Sequence, residues 1–298
     1  MRRVAFIGLG NMGRPMAAAL ARAGVETRGF DLNASLVKAA AQDGVIAASS
    51  LNDAIGGAEV AITMLQSGDQ TLGVWREIAP EARGKLLIDC STIDVESARA
   101  AHRLALENGA LSVDAPVSGG VAGAKAATLT FMCGGEAPAF AASQPILQHM
   151  GAHVLHCGGA GMGQAAKICN NLMLGVTMIA TAEAFVLAEK LGLSHRALFD
   201  SASISSGQSW SLTSYCPAPE LVPNSPANND YRPGFMTDLM LKDLRLAQEA
   251  AARAGAASPL GAAATQLYAL HQAVGQGGAD FSSIIKLIRG KPSEQGQS

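Results

Sequence analysis

A short apolar run, Val4–Gly8, leads directly into Gly8-Leu9-Gly10-Asn11-Met12-Gly13 and then into a helical pattern. Strand, G-x-G-x-x-G turn and helix in that order confine the start of the chain to a βαβ unit of the dinucleotide-binding kind. Gly8 makes the tight turn, Gly10 lets a pyrophosphate approach the backbone, and Gly13 lets helix and strand pack closely. Leu9, Asn11 and Met12 are read with these glycines as cofactor-binding. The phosphates belong at the helix N-terminus, where unpaired N–H groups and the macrodipole favour anions. A second strand, Thr27–Asp31, ends 23 residues past Gly8 on an acid. A carboxylate at Asp31 accepts hydrogen bonds from a ribose 2′-OH and repels a 2′-phosphate, so NAD is expected over NADP. Arg28 is read as an outward-facing strand residue.

Further strands are expected at Glu59–Met64, Lys85–Cys90, Leu111–Ala115, Thr128–Cys133 and His153–His156, with amphipathic segments between most of them. That alternation predicts a largely parallel, doubly wound α/β sheet of the Rossmann type. The closely spaced strands after Leu111 leave room for an antiparallel pair. One helical pattern then runs from Gly163 to Leu191, with Gly192 as its stop and Ser194 as the next cap. Cys216–Pro233 holds five Pro and three Asn and reads as an irregular loop. Helical patterns follow at Phe235–Ala254, Pro259–Val274 and Phe281–Ile288, and a polar tail, Gly290–Ser298, is expected to fray. The chain of 298 residues therefore divides into a Rossmann-like domain, 1–161, and an all-α domain, 162–298, that includes a long connecting helix.

Composition narrows the function. Fifteen per cent of residues are charged and the net charge is −2, which argues against an electrostatic nucleic-acid or membrane binder. Five scattered Cys without a CxxC pair read as free thiols of a reducing compartment, so a cytoplasmic protein is expected. The stretch Ile168–Ala182 is uncharged but spans 15 residues, short of the ~20 a spanning helix needs, and is read as part of a buried helix. The chain holds 56 Ala and 33 Gly, which suits close helix packing within the molecule and between copies in a homodimer or homotetramer. His149, His153 and His156 have zinc-like spacings, but Gly151 interrupts them and no ligand set completes a site, so no metal is expected.

Lys167, Asn170 and Asn171 interrupt an apolar helix at i, i+3 and i+4, which places them on one face. Buried lysine is costly unless used or paired. Beside a nicotinamide cation in a dry site its pKa falls, which suits acid–base work near neutrality. Lys167 is therefore the candidate proton relay and Asn171 a candidate for orienting it or binding substrate. Ser118-Gly119-Gly120 follows a strand end, where open sheets bind ligands, and offers a hydroxyl and converging N–H groups to a carboxylate. Met64 and Leu65 end another strand and are read as packing along the cofactor.

Phe6-Ile7-Gly8-Leu9-Gly10-Asn11-Met12-Gly13-Arg14-Pro15-Met16 resembles the opening of the 3-hydroxyisobutyrate dehydrogenases, within the β-hydroxyacid dehydrogenase family. The resemblance continues in Asp114-Ala115-Pro116-Val117-Ser118-Gly119-Gly120, in Gly161-Met162-Gly163-Gln164 with Lys167, Asn170 and Asn171, and in Leu241-Lys242-Asp243-Leu244. It departs in Ala126-Ala127-Thr128-Leu129, where the family has Gly before Thr-Leu, and at Gln66, where Pro commonly follows Met-Leu; both are peripheral to the chemistry. It implies the same roles for Lys167 and Ser118, a cofactor contact at Thr92, and a lysine at Lys242 that reaches toward cofactor and substrate. Phe235 is a candidate for closing the substrate pocket, and Ser206–Trp210 for lining it.

The resulting expectation is NAD-dependent oxidation of a small 3-hydroxy acid. The resemblance implies 3-hydroxyisobutyrate to methylmalonate semialdehyde, a step in valine breakdown. The alternatives are a tartronate semialdehyde reductase, a serine or other 3-hydroxyacid dehydrogenase and, from another class, a catalytically silent NAD-binding scaffold.

Overall fold

The computed structural model describes residues 3–290, so most of the expected frayed tail lies outside the described residues. The chain forms two compact units that divide between Lys167 and Ile168. Among its described residues the first unit contains nine strands: β1 (Arg3–Ile7), β2 (Glu26–Phe30), β3 (Ile46–Ala47), β4 (Val60–Thr63), β5 (Leu86–Asp89), β6 (Leu111–Asp114), β7 (Val117–Ser118), β8 (Leu129–Gly134) and β9 (Gly151–Gly158). Its helices are α1 (Gly13–Arg22), α2 (Ala34–Ala41), α3 (Leu51–Ile55), α4 (Gly68–Ile78), α5 (Val95–Glu107), α6 (Gly120–Ala126) and α7 (Ala137–Leu147). The long α8 (Met162–Leu191) begins there and continues into the second unit.

The strand order is β3-β2-β1-β4-β5-β6-β8-β7, with β9 paired to β8. Every pair from β3 to β6 is parallel, and β8 also pairs in parallel with β9. The antiparallel pairs are β6 with β8 and β7 with β8. The central strands alternate between two apolar layers, as a two-residue side-chain period requires. Val4 and Phe6 of β1, Ile62 of β4 and Ile88 of β5 enter one layer with Met16 and Leu20 of α1. Ala5, Ile7, Ala61 and Leu87 enter the other with Trp75 and Ile78 of α4 and Ala101 and Ala105 of α5. Side-chain caps start the flanking helices: Ser67 accepts from Gln70 N and Asp94 from Ser97 N.

Two strands were not expected, β3 and β7. Each has two residues, too few to show a period. Ser118, expected beyond a strand end, is the second residue of β7 and pairs with Thr130. β9 extends past His153–His156 at both ends; its exposed edge weakens the apolar signal there.

The second unit is helical: the rest of α8, then α9 (His195–Ala202), α10 (Trp210–Thr213), α11 (Thr237–Ala254), α12 (Pro259–His271) and α13 (Ile284–Arg289). Gly192 follows α8 with φ +77°, and Ser194 caps α9 by accepting from Ala197 N. Among the described residues α8 is the one helix long and apolar enough to cross a membrane. Its Met178, Ala182 and Phe185 are buried in a core with Met240, Leu241 and Leu244 of α11 and Tyr268 of α12. Small residues permit that packing: a Cβ on Gly175 would stand 3.0 Å from the Leu244 side chain.

His271 is buried in this unit, with Nε2 2.7 Å from Ser283 Oγ and Nδ1 without a partner. Burial lowers its pKa to about 4. The unfolded chain binds this proton near pH 6.5, before the folded one does, so the stability it leaves intact at neutral pH is lost as the pH falls toward 4. The unfolding free-energy gap between parent and His271→Gln should therefore narrow by about 2 kcal/mol between neutral and acidic pH in urea titrations. A gap that does not change with pH would place the titration elsewhere.

Candidate active site

β1 lies between β2 and β4, so the sheet's direction of winding switches at the carboxyl ends of β1 and β4, where open α/β sheets bind ligands. The three motif glycines occupy different environments there. Gly8 has φ +94°, and a Cβ on it would lie 2.3 Å from Met64 O. A Cβ on Gly13 would lie 1.9 Å from Gly8 O, so Gly13 closes α1 against the turn. Gly10 has neither constraint: its φ is not positive and nothing lies within 4 Å of its Cβ position. The fold does not need glycine at 10, whereas a phosphate approaching the backbone does. Met12, at the N-cap of α1, gives no side-chain cap, leaving that helix end to an anion. Asn11 is exposed and Met12 half-buried. The Leu9 side chain is buried in the core, and its N–H donates to Asp31 Oδ2 at 2.8 Å. Asn33 N donates to Asp31 Oδ1 at 2.8 Å. Asp31 is thus oriented by two backbone donors at the end of β2, and each oxygen keeps a lone pair for a ribose hydroxyl. Arg28 points to Asp53, 3.1 Å away. These residues fit a dinucleotide.

The neighbouring strand ends are joined by buried polar groups. Thr63 Oγ1, Ser91 Oγ and Ser91 N all donate to Asp89 Oδ1, at 2.7, 2.6 and 3.3 Å. Leu65 N donates to Ser91 Oγ at 2.7 Å. Asp89 Oδ2 has no partner, and burial raises the carboxyl's pKa to about 6. The segments carrying Met64–Leu65 and Thr92 are therefore fixed to one carboxyl group. Asp114, at the end of β6, accepts from Gly161 N and Gln164 N at 2.8 and 2.9 Å and so caps the start of α8. His102 Nε2 lies 2.8 Å from the same carboxylate, and His102 Nδ1 lies 2.7 Å from Ser112 Oγ. Lys167, one turn after Gln164 on α8, is 6% exposed. Ser118 is half-buried, and Gly119 and Gly120 take φ +128° and +60° as the chain enters α6. Of the discounted histidines, His156 Nε2 contacts Gly135 O at 2.8 Å and its ring stacks on Phe140.

In the second unit Asn171, 1% exposed, donates from Nδ2 to Asp243 Oδ2 at 2.5 Å and accepts from Asn170 Nδ2 at 3.0 Å. Lys242 Nζ lies 3.9 Å from Asp243 Oδ1. Phe235 is half-buried, edge-on to Phe281, and its N–H donates to the buried Asp280 at 3.0 Å. Tyr215 OH donates to the same Asp280 oxygen at 2.9 Å, and Trp210 stacks on Tyr215.

Residues 3–159 match the family described as the NAD binding domain of 6-phosphogluconate dehydrogenase. Residues 161–288 match the family described as NAD-binding of NADP-dependent 3-hydroxyisobutyrate dehydrogenase. A probable 3-hydroxyisobutyrate dehydrogenase of Mycobacterium tuberculosis is 49% identical over 292 residues, covering 98% of this chain and 99% of the relative. The chain belongs to the 3-hydroxyisobutyrate dehydrogenase family. The solved structure of the M. tuberculosis 3-hydroxyisobutyrate dehydrogenase with L-serine superposes with a TM-score of 0.94 at 48% identity, over 97% of this chain and 100% of that one. An NAD-dependent L-serine dehydrogenase of Pseudomonas aeruginosa is 45% identical over 97% of this chain and 98% of the relative.

Family membership makes the chain a hydroxyacid oxidoreductase with an NAD-binding domain. For such a dehydrogenase, sequence reading missed four buried polar residues: Asp89, Asp114, Gln164 and Asp243. Asp114, Gln164 and Asp243 lie inside the blocks that carried the resemblance, yet received no role. The available signal was a polar side chain within an apolar context. Their partners, up to 73 residues away in sequence, gave no local pattern.

Proposed function

We propose that the chain oxidises 3-hydroxyisobutyrate to methylmalonate semialdehyde, with Lys167 as general base and NAD as the hydride acceptor. The observation that carries this reading is Lys167, 6% exposed and one turn beyond a side chain that grips the strand-end segment holding Thr92. NAD, when bound, supplies an acceptor for the hydride of the carbinol carbon. Lys167 Nζ takes the hydroxyl proton and returns it in the reverse direction. Ser118 Oγ and the N–H groups of Gly119 and Gly120 hold the substrate carboxylate without a formal positive charge. Asn171, oriented by Asp243 and Asn170, binds substrate or orients Lys167, one helical turn before it on α8. Gly8, Gly10, Gly13, Leu9, Asn11 and Met12 form the phosphate turn, with Met64, Leu65 and Thr92 along the cofactor. Lys242 contacts the cofactor and Phe235 bounds the substrate.

Asp31 favours NAD over NADP, because a 2′-phosphate would meet a carboxylate. Asp31→Ala should reduce the ratio of NAD to NADP specificity constants by at least about tenfold, one decade being ~1.4 kcal/mol. An unchanged ratio would assign the preference to another residue. The variant also removes the acceptor of Leu9 N–H, so absolute NAD affinity falls as well.

The first unit holds the cofactor and the second contributes substrate contacts and association in a homodimer or homotetramer. All five cysteines are free, three of them buried, which supports a reducing, cytoplasmic setting and, with the substrate, a place in valine breakdown. Oxidation of L-serine is the second reading, supported by the relative named for it and by the solved relative with L-serine. Tartronate semialdehyde is a further candidate among short acids with a 3-carbonyl. A panel of 3-hydroxyisobutyrate, L-serine and glycerate with NAD and NADP tests the reading. The highest kcat/KM is expected for 3-hydroxyisobutyrate with NAD. Tight NAD binding without turnover of any of these acids would instead favour a scaffold.

A further inference from the structure

Gln164 is fully buried on α8, three residues before Lys167. Its carboxamide makes two hydrogen bonds to one short segment. Nε2 donates to Ser91 O at 2.7 Å, and Oε1 accepts from Ile93 N at 3.1 Å. These backbone groups flank Thr92, so the side chain brackets that residue much as a neighbouring strand would. The segment is held from its other end by Asp89, through Ser91 Oγ and Ser91 N. The backbone of Gln164 is held in turn by Asp114, through its own N–H.

Helix stability does not explain this side chain. Asp114 already caps the start of α8, and a buried carboxamide costs free energy unless every polar end is matched. An apolar residue of similar length would fill the same volume but leave Ser91 O and Ile93 N without these partners. What it could not do is tie the segment at 91–93 to the helical turn that precedes Lys167.

We propose that Gln164 is a positioning residue that sets the spacing between the cofactor-side segment at Thr92 and the general base Lys167. The inference rests on the proposed roles of those two residues. Oxidation removes a hydride and a proton from adjacent atoms of one carbinol group, so acceptor and base must be held in fixed relation. Active-site groups tolerate about 0.5 Å of misplacement, and an error of about 1 Å can cost ~10²-fold in rate.

Gln164→Met keeps length and apolar bulk but loses both hydrogen bonds. It should lower kcat by roughly 10–100-fold. The NAD dissociation constant, measured by fluorescence titration, should stay within about threefold, well under one decade of affinity. The primary deuterium isotope effect on kcat, measured with carbinol-deuterated 3-hydroxyisobutyrate, should rise as hydride transfer becomes rate-limiting. Gln164→Glu keeps the acceptor for Ile93 N and regains a donor to Ser91 O only when protonated. The titratable groups of the surrounding network are Asp89, Asp114, His102 and Lys167. The ratio of its kcat to the parent's should therefore rise as the pH is lowered. Parent-like kcat and isotope effect in Gln164→Met would overturn the proposal. So would a fall in kcat that only tracks the folded fraction, with an unchanged isotope effect. If Gln164→Met does not fold, a pH-independent kcat ratio for Gln164→Glu overturns it alone. Lys167→Ala, assayed in parallel, separates the two claims. An active Lys167→Ala enzyme would sink the base assignment, whereas an inactive one beside a parent-like Gln164→Met would sink only this inference.

Discussion

Replacing Lys167 by alanine should lower kcat by about 10²–10⁴-fold, the usual contribution of a positioned acid–base group. The NAD dissociation constant should change by much less than a decade, because the proposed cofactor contacts, the phosphate turn and Asp31, do not involve this side chain. Lysine is almost never fully buried unless it is used or paired, and Lys167 is 6% exposed on the helix that Asp114 caps. Lys167→Arg should be nearly as inactive as alanine. Its guanidinium stays protonated at any working pH and cannot accept the hydroxyl proton. Steady-state kinetics with NAD titration in parallel reads both effects. Substantial turnover in either variant would remove Lys167 from the chemistry.

The second large effect separates glycines that look equivalent in the motif. Gly10→Val should fold with a Tm close to the parent's, because nothing lies within 4 Å of its Cβ position. NAD affinity should nevertheless fall by at least about tenfold, or ~1.4 kcal/mol, since the new side chain would occupy the proposed approach of the pyrophosphate. Gly13→Ala should do the reverse and damage the fold first. Its methyl would stand 1.9 Å from Gly8 O, a backbone atom that cannot swing aside. Overpacking of this kind costs about 1–3 kcal/mol or more. Thermal melts with and without NAD distinguish the two. Equal thermal losses in both variants would mean that Gly10 is structural.

The same contrast shows how far the sequence reached. The strand before Gly8, the helix after Gly13 and Asp31 at the end of β2 were legible because steric rules fix their order. Gly192 and Ser194 were legible as stop and cap because local backbone chemistry selects those residue types. β3 and β7 were not, since two residues show no period and their pairing is decided by the sheet around them. Lys167 stood out as a charge in an apolar helix. Asp243 did not, because α11 already carries charged residues on its open side, and it takes the folded helix's burial of this acid and its pairing with Asn171 to show that it faces inward. Asp89 and Gln164 gain their meaning from partners on other elements. Those distances exist only after folding.

The most direct test of the central claim follows deuterium from 3-hydroxyisobutyrate labelled at the carbinol carbon, with L-serine labelled in the same way as competitor. The expected result is NAD reduced with one deuterium from 3-hydroxyisobutyrate, stoichiometric with methylmalonate semialdehyde, and a higher kcat/KM than for L-serine. Deuterium arriving mainly from L-serine, or not reaching NAD at all, would contradict the account.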